Sequence, residues 1–412
     1  MIRSNVNWAL LRSRRTILAV VIGLALAVAS LAQISSNLAE RQRPDLAAAW
    51  WPGNDDALAR LGELSLLLAQ VQPEESGSGL TSTDTANIAR ARDTSLRSLR
   101  ASGLQSRAFR VLAITALTKG NEREADDLAT AAERLSRRDE RIQLLLFRSA
   151  LLNRDLTAGL RHFDLALRSN YRMREELFPM LANAMRDKFA RGYFSPYFRA
   201  DNPWLADFLV YGLNEGPSPV TIGELIAAAR ELPERPGTSI EAVAVPRMVQ
   251  LGKPLLARTI SQRLPPSQRP TAGGGLSNPK FIFDNQTILP FGWDYSQRPE
   301  LIIRLPAPEA DSGLQIHSTG SFGAELTRQL VTLRPGSYRL EVAGTKIDHA
   351  RWVITCTGSG KTLVGEIGLG KHSFRVPSKN CEGQWLRLTA DGEGPVDVKL
   401  SNVAIRPDSM PS

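Results

Sequence analysis

The chain has 412 residues, 42% of them hydrophobic and 23% charged, with a formal net charge of +9. This length and composition indicate two or three globular domains with ordinary hydrophobic cores. The cations alternate with acids along the predicted helices instead of clustering beside aromatics, which argues against nucleic-acid binding. An anionic polymer or an anionic lipid surface remains an alternative partner for the middle segment. Two Cys and four scattered His exclude a thiolate zinc cage.

The first predicted element is an uncharged, mostly apolar run, TILAVVIGLALAVASLAQ, from Thr16 to Gln33. A helix of this length extends roughly 27 Å, close to the thickness of a bilayer core. Three arginines directly precede the run, and no charge follows it before Glu40. The positive-inside rule therefore predicts a single-pass inner-membrane protein, with residues 1–15 in the cytoplasm, an anchor at 16–34 and the rest in the periplasm. A cleaved signal peptide is the alternative, because small residues near the end of the run resemble a cleavage site.

Residues 35–54 are predicted to form a stalk, and helical periodicity extends over residues 55–263. Asn54 is suited to cap the first of these helices, in which leucines recur at helical spacing. A loop rich in Pro, Ser, Gly and Thr is predicted at residues 72–84.

The clearest internal repeat is RAFRVLAITALTKGNEREADDLATAAERL, followed about 34 residues later by RIQLLLFRSALLNRDLTAGLRHFDLALRSN. Each copy is predicted to be a helix, a turn and a second helix, and Asn121 is suited to cap the second helix of the first copy. Equivalent positions in the two copies pair Ala116 with Ala150, Ala125 with Gly159, Ala129 with Phe163, and Ala132 with Ala166. The period and the small residues resemble the tetratricopeptide repeat over about residues 107–170. That resemblance implies stacked helix pairs with a concave face that binds peptides or partner proteins.

Residues 264–277, LPPSQRPTAGGGLS, are rich in Pro and Gly and are predicted to link the helical domain to a second domain. Ten short segments of strand-like composition follow, from KFIFDN to VDVKLSNVAI. In one of them, Tyr338, Leu340 and Val342 are expected to face inward. Ten short strands in about 130 residues predict a β-sandwich or jelly roll over residues 278–407.

Three phrases in this region, NPKFIFDNQTILPFGWDY, LRPGSYRLEVAG and SNVAIRP, resemble a β-sandwich of the carbohydrate-binding-module type. Such domains recur in bacterial envelope and exopolysaccharide proteins, sometimes behind helical repeats. The resemblance therefore implies a glycan-binding domain. The acidic pattern with which that family binds calcium is not recognisable here.

Cys356 and Cys381 are the two cysteines of the chain, and both lie in its last third. A single pair in one domain of an exported protein predicts a disulfide, with two buried free thiols as the alternative.

Known catalytic and cofactor motifs are missing from the sequence. GSGKT at 358–362 lacks the first glycine of a P-loop and precedes strand-like sequence, so it predicts a hairpin turn without nucleotide binding. No G-x-S-x-G elbow, H-E-x-x-H motif or EF-hand loop occurs. We therefore expect no catalytic residue, no cofactor and no metal site.

The candidate site residues are mainly aromatic. In QWLRLTA, alternation places Trp385 and Arg387 on one face, where an indole can stack on a sugar ring while polar neighbours bind its hydroxyls. The other candidates for this glycan site are Trp293, Tyr295, Gln315 and His317. The alternative for Trp385 is coverage by the linker or the helical domain, whereas Trp352, which alternates with Ile354, is expected in the core.

These features predict a non-enzymatic, membrane-anchored periplasmic protein that acts in making or exporting a surface polysaccharide, with helices that bind protein and a sandwich that binds glycan. A scaffold that binds only proteins is the alternative. A polysaccharide-active enzyme is a third hypothesis, and it requires two carboxylates about 5–10 Å apart across a cleft.

Overall fold

The computed structural model describes residues 8–69, 81–283, 286–307 and 313–408. The chain forms two compact units, residues 1–173 and 174–412, and each is described separately below. Helices fill the first unit and the start of the second, and antiparallel strands follow. Residues 1–7 of the predicted cytoplasmic segment and residues 70–80, which cover most of the predicted 72–84 loop, lie outside the described residues.

The apolar N-terminal run lies within a long helix, α1 (Trp8–Ala39). Within it, Val21–Ala39 is long and apolar enough to cross a membrane, and its large apolar side chains are exposed. At 1.5 Å per residue the 32 residues of α1 extend about 48 Å, which exceeds the thickness of a bilayer core. The structure therefore supports a candidate membrane span in the predicted region. The same helix extends into the segment that is predicted to be a stalk.

The end of α1 is joined to the next two helices, α2 (Pro44–Trp50) and α3 (Asp55–Leu68), by buried hydrogen bonds. The Ser36 hydroxyl donates to the carbonyl of Ala47 (2.8 Å), and the Asn54 amide donates to the Ser36 hydroxyl (2.7 Å). Asn54 also accepts from the backbone N–H of Ala57, which confirms its predicted role as the cap of α3. We name Ser36, Ala47 and Asn54 the α1 junction.

Five further helices lie among the described residues of the first unit: α4 (Ser82–Ala101), α5 (Ser106–Leu117), α6 (Glu122–Leu135), α7 (Glu140–Leu152) and α8 (Leu156–Ser169). The pairs α5–α6 and α7–α8 begin at Ser106 and Glu140, an interval of about 34 residues, as the sequence predicts. Asn121 caps α6 by accepting from Glu124 N–H, which confirms a second predicted cap. The matched Ala and Gly residues are buried, and Gly159 of α8 lies against Ala150 of α7, where a small residue permits close helix packing.

A network of ion pairs connects α3, α5 and α7. The nearly buried Arg110 guanidinium contacts the carboxylates of Glu63 (2.9 Å) and Asp139. Glu63 also pairs with Arg107 and with the exposed Arg141. Asp139 in addition caps α7 by accepting from two backbone N–H groups.

His162 of α8 is buried inside the first unit. Its Nδ1 lies 2.7 Å from the Gln143 side-chain oxygen, its Nε2 lies 3.2 Å from the Arg161 guanidinium, and Glu133 lies 3.7 Å away. Burial lowers the pKa of His162 below its usual value, and the charge of Glu133 offsets this in part. The neutral imidazole, with its proton on Nδ1, satisfies both neighbours.

The second unit begins with six helices: α9 (Met173–Ala184), α10 (Lys188–Phe194), α11 (Leu205–Asn214), α12 (Pro219–Ala228), α13 (Ile240–Gln250) and α14 (Pro254–Ser261). Met173 itself belongs to the first unit. The helices after Met173 thus group with the sheets, and the first unit ends well before the predicted 264–277 linker.

Residues 264–277 are packed within the second unit. Ser277 exchanges two hydrogen bonds of 3.0 Å with the buried Gln329 side chain. A Cβ on Gly274 would overlap the carbonyl of Thr332, and the left-handed backbone of Gly274 also favours glycine. The Pro and Gly residues of this segment therefore form turns against the sheets instead of a free tether.

Ten strands form two five-stranded antiparallel sheets: β1 (Asp294–Tyr295), β2 (Leu301–Arg304), β3 (Leu314–Ser321), β4 (Glu325–Val331), β5 (Gly336–Asp348), β6 (Ala350–Cys356), β7 (Thr362–Ile367), β8 (Gly370–Val376), β9 (Gln384–Ala390) and β10 (Pro395–Pro407). Sheet A has the order β1-β4-β9-β6-β7, and sheet B has the order β2-β3-β10-β5-β8. The predicted strand KFIFDN is not a strand over its described residues, 280–283, and the two-residue β1 takes the edge position instead.

The two sheets share one apolar core, which makes them a sandwich. Trp352, Leu386 and Leu326 from sheet A meet Leu340 and Leu314 from sheet B in this core. Alternation puts every second residue of β6 and β9 inside, as the sequence predicts for Trp352.

The predicted disulfide between Cys356 and Cys381 is present and buried, and it joins the end of β6 to the segment before β9. Its presence fits an oxidising compartment. GSGKT forms the turn between β6 and β7, as expected, with left-handed backbone at Gly358 and Gly360.

Candidate functional site

The outer face of sheet A carries the predicted pair Trp385 and Arg387. Both lie on β9, the central strand of the sheet, where they are partly exposed while Leu386 and Leu388 are buried. The alternation inferred from QWLRLTA is therefore confirmed. A central strand also gives these side chains a rigid position.

Strand register brings three further polar side chains beside Trp385. Arg328 of β4 lies opposite Arg387, and Asp294 of β1 lies opposite Arg328. Glu325, also on β4, contacts both arginines. We name Asp294, Glu325, Arg328, Trp385 and Arg387 the Trp385 cluster.

The two guanidinium groups of the cluster lie over the indole. The Cζ atoms of Arg328 and Arg387 are 5.0 and 5.7 Å from the centroid of the Trp385 ring. These distances are within the range of cation–π attraction, so they hold the indole in one orientation. A fixed aromatic ring loses little conformational entropy when a ligand stacks on it.

Two carboxylates balance the two guanidinium charges. Asp294 lies 2.9 Å from Arg328, and Glu325 lies 3.4 Å from Arg328 and 3.2 Å from Arg387. All four side chains are about one-third exposed, so each can also reach a ligand. The cluster thus combines a partly exposed aromatic ring with fixed donors and acceptors without net charge, which suits a neutral polyhydroxyl ligand better than a polyanion.

A small depression adjoins the cluster. It has a volume of about 120 Å³ and is lined by Asp294, Tyr295, Ser296, Glu325, Leu326 and Thr327. Tyr295 is partly buried, and no group among the described residues hydrogen-bonds to its hydroxyl. Burial raises the pKa of Tyr295 well above its usual value, so the hydroxyl stays neutral. The depression shares Asp294 and Glu325 with the cluster.

Trp293 does not join this surface. It is 7% exposed and packs between Phe281 and Trp352, with ring centroids 4.9 and 5.9 Å away. Its indole N–H donates to the carbonyl of Asn278. Both the faces and the polar edge of Trp293 are therefore used inside the sandwich.

Gln315 and His317 lie on the outer face of sheet B, which points away from sheet A. They are opposite Lys399 and Asp397 of β10 in the strand register. Lys346 contacts Asp397 there (2.6 Å), and that hydrogen bond holds the pKa of Asp397 below its usual value. Among the described strand residues, this face carries no Phe, Tyr or Trp. The six predicted residues thus fall into an outer pair on each sheet, one buried indole, and Tyr295, which packs against the sandwich core and not on the face of Trp385.

Asp294, Glu325 and Arg328 were missed by the sequence analysis. β1 is too short to show an alternating pattern. The register between two strands cannot be read from the sequence of either strand alone. In AELTRQLVTL, the charged residues at positions 325 and 328 indicate which side chains of β4 face outward. This pattern could have identified them.

The first unit has a separate concave feature between α6 and α7. This groove has a volume of about 280 Å³ and is lined by Glu122, Arg123, Asp126, Arg148, Ser149, Leu152 and Asn153. Both signs of charge meet in it, and Arg148 lies 3.4 Å from Glu122.

No protein-family model matches this chain, and no curated protein is significantly similar to it in sequence.

Proposed function

We propose that this chain is a non-enzymatic binding protein of the bacterial envelope that acts in making or exporting a surface polysaccharide. Residues 16–34 of α1 anchor it in the inner membrane, residues 1–15 lie in the cytoplasm, and the rest of the chain lies in the periplasm. The helix pairs α5–α6 and α7–α8 act as tetratricopeptide-like repeats that bind protein. The sandwich acts as a carbohydrate-binding jelly roll.

The Trp385 cluster is the observation that carries this proposal. A partly exposed indole on a rigid central strand, flanked by two guanidinium groups and two carboxylates, matches the needs of a sugar ring. The apolar face of a pyranose packs on the part of the indole that the guanidinium groups leave exposed, and its hydroxyls exchange hydrogen bonds with Glu325 and Arg387. The candidate span and the disulfide support the location, because both fit an exported protein.

The test is a calorimetric titration of the full chain in detergent micelles. The probes are the exopolysaccharide of the source bacterium, cellulose oligosaccharides and alginate oligosaccharides. We expect saturable binding of at least one neutral glycan and a loss of about tenfold or more in affinity for Trp385→Ala.

Phe283→Ala is the matched control, since Phe283 is an exposed aromatic of the same unit outside sheet A. It should bind as the unmutated chain does. Binding that Trp385→Ala leaves unchanged, or no binding of any probe, would reject the glycan function.

A scaffold that binds only proteins is the second candidate, and the α6–α7 groove favours it. Its mixed charges suit a polar peptide segment. A photo-crosslinking amino acid at Arg123 should then trap one defined protein in cells, and Arg148→Glu should prevent the trapping. Crosslinking that Arg148→Glu does not change would count against the groove as the binding site.

A further inference from the structure

Two turns at one end of the sandwich bring together an imidazole and two carboxylates. β6 begins at Ala350 and β9 ends at Ala390, and these residues are register partners. His349, just before Ala350, therefore lies beside Asp391, and the Asp391 N–H donates to the His349 carbonyl (3.1 Å). Glu393 follows in the same turn, and its backbone N–H donates to the Asp391 carboxylate (2.9 Å).

The side chains of His349, Asp391 and Glu393 each place one ligand atom within 4.8 Å of the other two. We name these residues the His349 trio. Its members lie outside the Trp385 cluster, and the sequence analysis predicted no metal site.

The position of the imidazole depends on a glycine. A Cβ on Gly394 would overlap the ring of His349, so only glycine at 394 allows the ring to lie against the turn. His349 also has a left-handed backbone (φ 51°), which directs its side chain back across the two turns. Two separate residues thus adopt the conformations that place this imidazole over Asp391.

The spacing of the His349 and Asp391 ligand atoms fits a tetrahedral metal ion. His349 Nδ1 and Asp391 Oδ1 are 3.4 Å apart, which is long for a hydrogen bond. Two ligands at about 2.1 Å from a zinc ion, at the tetrahedral angle, are separated by about 3.4 Å. The carboxylate of Glu393 is exposed and has no ion-pair or hydrogen-bond partner among the described side chains, so it is free to turn toward the ion.

The charge state of the trio also suits a cation. Asp391 and Glu393 supply two carboxylates, and the Asp391 carboxylate is held in place by the hydrogen bond from the Glu393 N–H. The nearby Arg351 guanidinium donates to the carbonyls of Ile347 and Ala350. Its charge is partly engaged by these backbone dipoles.

We propose that the His349 trio binds one divalent transition-metal ion of the zinc class, which joins the β5–β6 turn to the β9–β10 turn. The nitrogen ligand selects such an ion over calcium or magnesium, which prefer oxygen ligands alone. A water molecule completes the tetrahedron. The proposal is independent of glycan binding.

The test uses the full chain in detergent micelles, without a polyhistidine tag, after treatment with EDTA and buffer exchange. Zinc sulfate is titrated by calorimetry, and melting temperatures are measured with zinc and with EDTA. We expect one zinc ion per chain, a rise in Tm with zinc, and an X-ray absorption spectrum with one imidazole and only oxygen as the other ligands.

Three variants locate the site. His349→Asn keeps a residue that tolerates the left-handed backbone and should abolish zinc binding and the rise in Tm. Glu393→Gln should weaken zinc binding by about tenfold or more. Glu382→Gln, an exposed glutamate in the turn before β9, is the control and should bind as the unmutated chain does.

Melting temperatures in EDTA show whether each variant folds. Folded His349→Asn and Glu393→Gln that still bind zinc at unmutated affinity would overturn the proposal. Failure of the unmutated chain to bind zinc, or binding of calcium in its place, would overturn it as well.

Discussion

Replacing Arg110 by Met tests whether the ion-pair network holds the first unit together. The Met side chain retains most of the apolar stem but removes the guanidinium that contacts Glu63 and Asp139. The Arg110 side chain is only 9% exposed, and that of Asp139 is 12% exposed. The change therefore leaves two poorly hydrated carboxylates without their shared cation.

Removing one partner of a buried ion pair costs about 3–5 kcal/mol. Here the lower limit applies, because Glu63 keeps its contacts with Arg107 and Arg141, and Asp139 still accepts two backbone N–H groups at the start of α7. A loss of about 3 kcal/mol corresponds to a roughly hundredfold increase in the open population of these helices.

Hydrogen exchange measured by mass spectrometry resolves the two units separately. We expect amides of α5 and α7 to lose about a hundredfold in protection, while the strands of both sheets keep theirs. Arg141→Met is the matched control: it removes a cation that also contacts Glu63 at 2.9 Å but is 51% exposed, so it should cost below about 1 kcal/mol. Equal effects of the two substitutions would refute the argument from burial.

Three further predictions concern pH, the disulfide and a close backbone approach. Burial lowers the pKa of His162, so the first unit has its full stability above about pH 6.5, where the imidazole is neutral. Its stability falls as the pH drops below that value. In His162→Gln this dependence of stability on pH, measured by hydrogen exchange, should become flatter. The loop closed by Cys356 and Cys381, with a sequence separation of 25, stabilises the sandwich by about 3.5 kcal/mol, which urea unfolding of the double Ser variant followed by tryptophan fluorescence will measure. Gly344→Ala should cost at least about 2 kcal/mol in the same assay, since a Cβ there would overlap the carbonyl of Lys399.

Each of these has a control. If His162→Gln does not change how steeply stability falls at low pH, other groups cause that loss of stability. Adding a reductant should not change the stability of the double Ser variant. A further loss of stability with reductant would contradict the assignment of the stabilisation to this disulfide. Gly320 is in an exposed strand position where an added Cβ would meet open space, so Gly320→Ala should hardly change stability. A large loss of stability in Gly320→Ala would contradict the explanation given for Gly344.

Features set by a few neighbouring residues could be predicted from the sequence. Asn54 and Asn121 cap α3 and α6 because a cap needs only a side-chain oxygen and the N–H three residues later. The outward position of Trp385 likewise follows from alternation within one strand.

Features set by residues distant in sequence could not be predicted. Trp293 lies near a turn, and nothing adjacent shows that Phe281 and Trp352 enclose it. Gln315 and His317 have the same alternating polar pattern as Trp385, but sheet membership depends on strand order, which places them on the other face. Pro and Gly in 264–277 indicate turns, and only the contact of Ser277 with Gln329 shows that those turns are packed.

The α1 junction has a mechanical consequence. α1 is one unbroken helix through the candidate span, and at Ser36, near the end of that span, the Ser36 and Asn54 hydrogen bonds join it to α2 and α3. The start of the helical stack therefore keeps a fixed orientation relative to α1. Any rotation or tilt of α1 turns α2 and α3 by the same angle.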